Sequence, residues 1–170
     1  MLPFTRQCNW LHSFNNLPTS RTRRPPPMNA ALIPNAQPTL AAWHEMLATH
    51  SFEGLGEIMA DDVVFRSPVA HTPYPGRAAI VLVLTTVNQV FQEFRYHRSF
   101  ASEDGHSVVL EFSAQVDGKQ LKGIDMIRFD AQGKIAEFEV MIRPLSGLQA
   151  LGAAMGARLA SQKQVLTGAA

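Results

Sequence analysis

The sequence predicts an α+β domain in which helices come first and a curved antiparallel sheet follows. Three observations carry this. Apolar residues recur at helical spacing before about position 91 and again after 145. From 94 to 143 apolar and polar residues alternate with period two, the signature of strands with one buried face. The alternating runs are separated by Glu103-Asp104-Gly105, Asp117-Gly118 and Ala131-Gln132-Gly133, turn sequences that close hairpins. Segregated helices and strands are the pattern of an α+β fold.

In chain order, Pro38 marks a helix start, and Leu40, Trp43, Met46 and Leu47 follow at helical spacing, so a first helix should end near His50. A second, short helix is expected over 52–59. Asp62, Val63, Val64, Phe65, Arg66 and Ser67 read as a strand stopped by Pro68. Pro73, Pro75 and Gly76 punctuate a loop over 69–76. A helix fits 77–91, with Ile80, Leu84, Val87 and Phe91 on one face. Four strands, 94–102, 106–117, 119–130 and 134–143, then form an antiparallel meander, and a last helix over 145–160 closes the chain. Leu110, Phe112 and Ala114 face opposite to Glu111, Ser113 and Gln115, and Phe138, Val140 and Ile142 opposite to Glu137, Glu139 and Arg143. One apolar face under helices encloses a pocket as readily as a solid core.

The 170 residues, 46% hydrophobic, suffice for one domain with a real core. Residues 38–160 are assigned to it, with 1–37 and 161–170 as tails. No apolar run approaches the roughly 20 residues that span a bilayer. Net charge is +1, but residues 1–37 hold Arg6, Arg21, Arg23 and Arg24 and no acid, which leaves 11 basic and 14 acidic residues beyond them. That balance of −3 gives no reason to expect nucleic acid. The lone Cys8 offers neither a disulfide framework nor metal spacing, and a cytoplasmic setting is expected. Pro25, Pro26 and Pro27 forbid helix, so the first 37 residues are expected to be a disordered tail or an upstream mis-start with Met28 as the true beginning; an acid-free, arginine-bearing targeting segment is the alternative.

Asp125 is the residue that points to chemistry. On one parity its strand reads Leu121, Gly123, Asp125, Ile127 and Phe129, so an acid without a visible partner faces the same way as large apolar side chains. A buried charge of this kind shifts its pKa and stays neutral, or finds a donor. Two readings stay open: a structural acid bonded to the Trp43 indole or a backbone amide, and a binding or catalytic group.

The run Met59 to Val69, the helix start Gly76 to Ile80 and the stretch Ile124-Asp125-Met126-Ile127-Arg128-Phe129-Asp130-Ala131-Gln132-Gly133-Lys134-Ile135 resemble the nuclear transport factor 2-like superfamily, in its SnoaL-like and ketosteroid isomerase-like branches. The resemblance covers about residues 38–160. It implies a cone-shaped (cystatin-like) fold, a curved antiparallel sheet wrapped around N-terminal helices, and by analogy a homodimer. It also implies that Asp125 matches the isomerase's oxyanion-hole aspartic acid, which an apolar site keeps protonated so that it donates to a developing enolate. The isomerase's general base corresponds to Ser67, its oxyanion tyrosine to Trp43, and two further pocket tyrosines to Met59 and Leu84. Steroid isomerisation by that mechanism is therefore not expected. In the SnoaL-like cyclases an acid on the long strands serves as base, so Asp125 could act alone. The Asp-Arg-Asp set of the limonene epoxide hydrolases has no counterpart, with Val140 near the matching place.

A largely apolar pocket for a small hydrophobic molecule is expected, shaped by Trp43, Met59, Phe65, Ser67, His71, Tyr74, Leu84, Phe112, Val140 and Ile142. If the protein is an enzyme, the reaction is proton transfer at a carbonyl-activated carbon, of isomerase or cyclase type, with Asp125 as acid or base. The alternative is a non-catalytic ligand-binding or dimerisation module. His97, with Phe94, Tyr96 and Phe100 on the opposite parity, should point outward, and His71 should rim the pocket. His44, His50 and His106 have no partner at metal spacing, so neither a metal nor a cofactor is expected. Gly152 and Gly156 suggest close helix packing.

Overall fold

The period-two runs become four consecutive antiparallel strands, β3 (Gln92–Ala101), β4 (Ser107–Val116), β5 (Lys119–Phe129) and β6 (Ile135–Arg143), in a computed structural model that describes residues 32–167, with side chains to 160. The N-terminal segment, with Cys8, the Arg23-Arg24 pair and Met28, lies outside the described residues. Asp117 and Gly118, with φ of 46° and 73°, form the two-residue turn between Val116 and Lys119. Both residues need positive φ there, which aspartate tolerates and glycine takes without strain.

Before the meander come α1 (Ala36–Thr49), a 3₁₀ turn (Leu55–Ile58), β1 (Met59–Arg66), the two-residue strand β2 (Tyr74–Pro75) and α2 (Arg77–Asn88). After it, α3 (Leu145–Thr167) runs seven residues past the expected end at 160. The second helix expected over 52–59 shrinks to the 3₁₀ turn, because Gly54 enters it in the left-handed region with φ of 76° and Met59 is already extended.

The sheet has six strands in the order β2-β1-β6-β5-β4-β3 and is not wholly antiparallel. The expected antiparallel meander is present, and β1, whose pairing the sequence did not assign, joins β6 in parallel with Phe65 beside Phe138, which makes the sheet mixed. β1 reaches that place through α2 and the meander, the long connection that parallel pairing requires.

Burial follows the alternation closely. On β4, Val108, Leu110, Phe112, Ala114 and Val116 are buried, and on β5 so are Leu121, Gly123, Asp125, Ile127 and Phe129. The sheet's inner face meets the helices in two packed clusters. One gathers Trp43, Leu55, Met59, Phe65, Ile80, Leu84, Leu110, Ile127 and Phe138. The other gathers Val90, Phe112, Val116, Leu121, Leu151 and Met155. Among the described residues, no helix is long and apolar enough to cross a membrane.

Gly123 lets Phe112 lie flat across β5. A Cβ at this position would sit 2.4 Å from the Phe112 ring and 2.6 Å from the Met141 carbonyl oxygen. Gly123→Ala should therefore destabilise the fold by about 1–3 kcal/mol through overpacking, read as a lower urea midpoint with an unchanged slope; an unchanged midpoint would show that Phe112 can yield.

Candidate functional site

Asp125 lies at the middle of β5, flanked by Leu110 of β4 and Val140 of β6, and is 5% exposed. The alternation that buries Ile127 and Leu121 gives the acid no choice of face. Its partner is Tyr96 of β3, whose hydroxyl donates to Asp125 Oδ2 at 2.5 Å. The Trp43 indole N–H of α1 donates in turn to Tyr96 Oη at 2.9 Å. The acid that showed no partner in the sequence is thus the end of a three-residue relay, and Trp43 reaches it only through Tyr96.

Burial pushes the Asp125 carboxyl up to about 7, and the Tyr96 hydrogen bond acts in the opposite sense by favouring the ionised form. The Tyr96 hydroxyl is raised well above its usual value by burial first and then by the neighbouring Asp125. Near neutral pH, Asp125 therefore exists in both forms.

Asp125 opens onto a cavity walled by residues of both core clusters. Trp43 stacks on Phe52 with ring centres 5.7 Å apart and meets Phe138 edge-on at 5.3 Å, making the α1 wall. Phe65 and Tyr74, 6.3 Å apart, make the β1–β2 wall. Ser67 directly follows β1, and its Oγ accepts from the Val69 N–H. Leu151, Met155 and Leu159 of α3 complete the enclosure. Polar groups on the lining are few: Asp125, Ser67, Asn88 and His50, besides the Tyr74 hydroxyl and Trp43 indole.

Of the residues expected around the pocket, Trp43, Phe65, Ser67, Tyr74, Leu84, Val140 and Ile142 line the cavity with Asp125. Three do not, and the expectation is corrected for each. Met59 is wholly buried in the core at the foot of β1. Phe112 is wholly buried behind Phe91 and Phe94, whose rings lie 5.8 and 5.2 Å from its own and take the place at the wall. His71 is exposed on the loop before β2 and does not reach the rim.

His97 points outward and bonds Ser113 at 2.8 Å. His44 meets the Tyr96 ring edge-on at 5.3 Å. A Cβ at Gly152 would make only ordinary contact with Val69, at 3.5 Å, and one at Gly156 would meet nothing within 4 Å, so the expectation that close packing requires these glycines is corrected for both. Among the described residues no group of three or more His, Cys, Asp or Glu could hold a metal ion.

The sequence reading missed Tyr96 and the α3 wall. Tyr96 shares the inward parity of Phe94, a signal that was present but reads as core packing. The helical spacing of Leu151, Met155 and Leu159 likewise marks an inward stripe.

Comparison with known proteins places this geometry. The sequence model of the SnoaL-like domain matches residues 40–138. The chain is similar to a solved structure of a steroid delta-isomerase from Pseudomonas aeruginosa, with 57% identity over 77% of this chain and 96% of that one and a TM-score of 0.76. It is similar to an uncharacterised protein with a cystatin-like fold from Silicibacter pomeroyi DSS-3, at 34% identity over 79% and 94% of the two chains and a TM-score of 0.71. An epoxide hydrolase/cyclase-like enzyme in pyran ring formation of the polyether salinomycin shares the fold at 16% identity, over 66% of this chain and 92% of that one, with a TM-score of 0.55. No curated protein sequence matches. A curved six-stranded sheet wrapped around its helices, a family match over most of that sheet and these neighbours give one conclusion: the chain belongs to the SnoaL-like family, within the nuclear transport factor 2-like fold.

Proposed function

We propose that the protein binds an uncharged hydrophobic carbonyl compound and moves a proton at the carbon beside the carbonyl, in a reaction of isomerase or cyclase type, with Asp125 as the acid/base group. One observation carries this reading: a carboxyl raised to about 7 in the wall of a largely apolar cavity. An acid whose pKa lies near the working pH keeps donor and acceptor forms populated together, the condition for efficient proton transfer. A single carboxyl suffices where the proton taken from one atom is returned to another atom of the same substrate.

The lining favours a neutral substrate, since none of the described lining residues is a lysine or arginine that would match an anion. Similarity to a steroid delta-isomerase supports the isomerase direction. The substitutions at Ser67 and Trp43 separate this site from the ketosteroid isomerase arrangement: no second carboxylate stands at the end of β1, and Ser67, which accepts from Val69 N–H, keeps its own proton to offer a substrate oxygen.

The rival reading is a non-catalytic ligand-binding module in which Asp125 anchors α1 to the sheet. The relay from Trp43 to Asp125 favours it to that extent. The expected homodimer would use the face opposite the helices, where Ile124 of β5 pairs with Met141 of β6 beside Phe100, Phe100 and Met141 being half-exposed at 53% and 50%.

Incubated in D₂O with a panel of neutral steroid and polyketide-type ketones, the protein should exchange hydrogen beside the carbonyl of at least one, read by mass spectrometry. Asp125→Asn should slow that exchange by at least about 10²-fold while ligand binding persists. Binding without exchange in the parent protein would sink the catalytic reading.

Stability provides an independent check. The folded pKa of about 7 lies above the ordinary 3.8. The native state therefore keeps a proton that the unfolded chain loses. The contribution of Asp125 is fully present below about pH 4 and is lost as pH rises towards 7, at most about 4 kcal/mol in all. Asp125→Asn should thus show a higher urea midpoint than the parent at pH 8, the gap closing towards pH 4. Glu137, Glu111 and Asp104, whose pKa values are lowered, titrate in the opposite sense and cancel between the two proteins. A variant less stable than the parent at pH 8 would show instead that the folded state favours the ionised carboxyl.

For the oligomer, sedimentation should give a dimer for the parent and a monomer for Met141→Glu; a parent that sediments as a monomer rejects the pairing.

A further inference from the structure

The relay has a direction, and the direction is fixed by its first member. An indole nitrogen can only donate. By giving its N–H to Tyr96 Oη, Trp43 occupies an acceptor site of the hydroxyl and turns the tyrosine's own proton towards Asp125. Oδ2 of the carboxyl is then an acceptor in both protonation states. A proton placed on Oδ2 would face the Tyr96 proton 2.5 Å away, donor against donor.

We propose that Tyr96, held by Trp43, is a positioning residue that confines the acid/base proton of Asp125 to Oδ1, the oxygen Tyr96 does not engage. The inference rests on the reading of Asp125 as the working acid and adds the device that orients it. Without Tyr96 the carboxyl could carry its proton on either oxygen and turn about its last side-chain torsion, which is broad for aspartate. With it, the proton is offered at one place from a fixed plane, the condition under which a proton donor adds to rate through orientation.

The surroundings leave Tyr96 as the main polar influence on the acid. On the neighbouring strands Leu110 and Val140 stand opposite Asp125. From α1 come Trp43 and, edge-on to the Tyr96 ring, His44, whose pKa burial lowers. Around the cavity the other titratable groups are His50 and Tyr74, with α2 contributing the uncharged Asn88 and α3 only Leu151, Met155 and Leu159. No lysine or arginine among these competes with the tyrosine.

Two substitutions separate positioning from packing. Tyr96→Phe keeps the ring and removes the donor; Trp43→Phe keeps an aromatic wall and releases the tyrosine hydroxyl. With ¹³C-labelled aspartate, the Asp125 Cγ resonance should titrate near neutrality in the parent protein. Loss of a donor to the ionised form should move that midpoint up by about one unit or more in Tyr96→Phe, and up by less in Trp43→Phe, where the tyrosine still reaches the acid.

A midpoint that stays in place in Tyr96→Phe, or moves down, overturns the proposal, and a drop in melting temperature with that unmoved midpoint assigns Tyr96 to structure alone. Should Tyr96→Phe fail to fold, the Trp43→Phe midpoint decides in the same way. The titration needs no substrate, so its outcome is independent of the exchange assay: a shifted midpoint beside undiminished exchange in Asp125→Asn keeps the relay and rejects Asp125 as the working acid.

Discussion

A carboxyl buried on the inner face of a sheet is the constraint around which the rest of the molecule is arranged. Left alone among Leu110, Ile127 and Val140, Asp125 would carry a large desolvation penalty. The hydrogen bond from Tyr96 offsets part of it, and the bond from Trp43 satisfies the one N–H that a buried tryptophan must place. Three strands and a helix are drawn into register by this chain. Tyr96 pairs with Phe112 across β3 and β4, and Phe112 with Gly123 across β4 and β5, so the hydroxyl reaches diagonally to the acid two residues further along. Gly123 makes that diagonal practicable: with no side chain there, the Phe112 ring lies against the strand and leaves the space above it to Phe94 and Tyr96.

The parts of this arrangement that were legible in the sequence are those written locally. Period-two alternation and Asp-Gly or x-Gly turns placed β3 to β6 within a few residues, and the parity of Leu121, Ile127 and Phe129 was enough to turn Asp125 inward. What was not legible is non-local. β1 pairs with β6 across about 75 residues of chain, and nothing in either strand marks that pairing. Tyr96 lies 29 residues from Asp125 on a strand whose register slips between Tyr96 and Arg98. Such a bulge changes which residues face inward, and a tyrosine on an apolar parity reads first as a core aromatic.

The cavity shows the same division. Residues on the strand faces were found, since orientation follows from parity alone. Whether an inward side chain meets empty space or another side chain depends on what packs above it, which no single segment records. Phe112 and Phe94 illustrate the point. Both are inward aromatics, yet Phe112 is sealed by Phe91 and Phe94 while Phe94 stands at the wall. His71 was placed at the rim because its loop lies near the pocket, but Pro73 and Pro75 hold the segment as it enters β2, and the histidine is left in solvent. Fold-level likeness, too, fixes the cavity better than its chemistry: the same cone encloses isomerase and cyclase sites alike.

An ionisable group is not what this fold would need for strength. A Trp43–Tyr96 hydrogen bond alone would tie α1 to β3, and an apolar or amide side chain at 125 would complete the inner face without a titrating proton. Replacing a buried charged group by a well-packed neutral one is commonly neutral or stabilising. With its pKa raised by burial, Asp125 should instead lower the stability of the folded state as pH rises towards neutrality. The remaining polar members of the relay are arranged so that the acid stays titratable: desolvation raises its pKa, and the tyrosine restrains the rise to about 7 rather than letting the proton become permanent. The proposed proton transfer would make use of both features, a carboxyl raised towards neutrality and its opening onto a cavity, because it requires a group able to give and to receive.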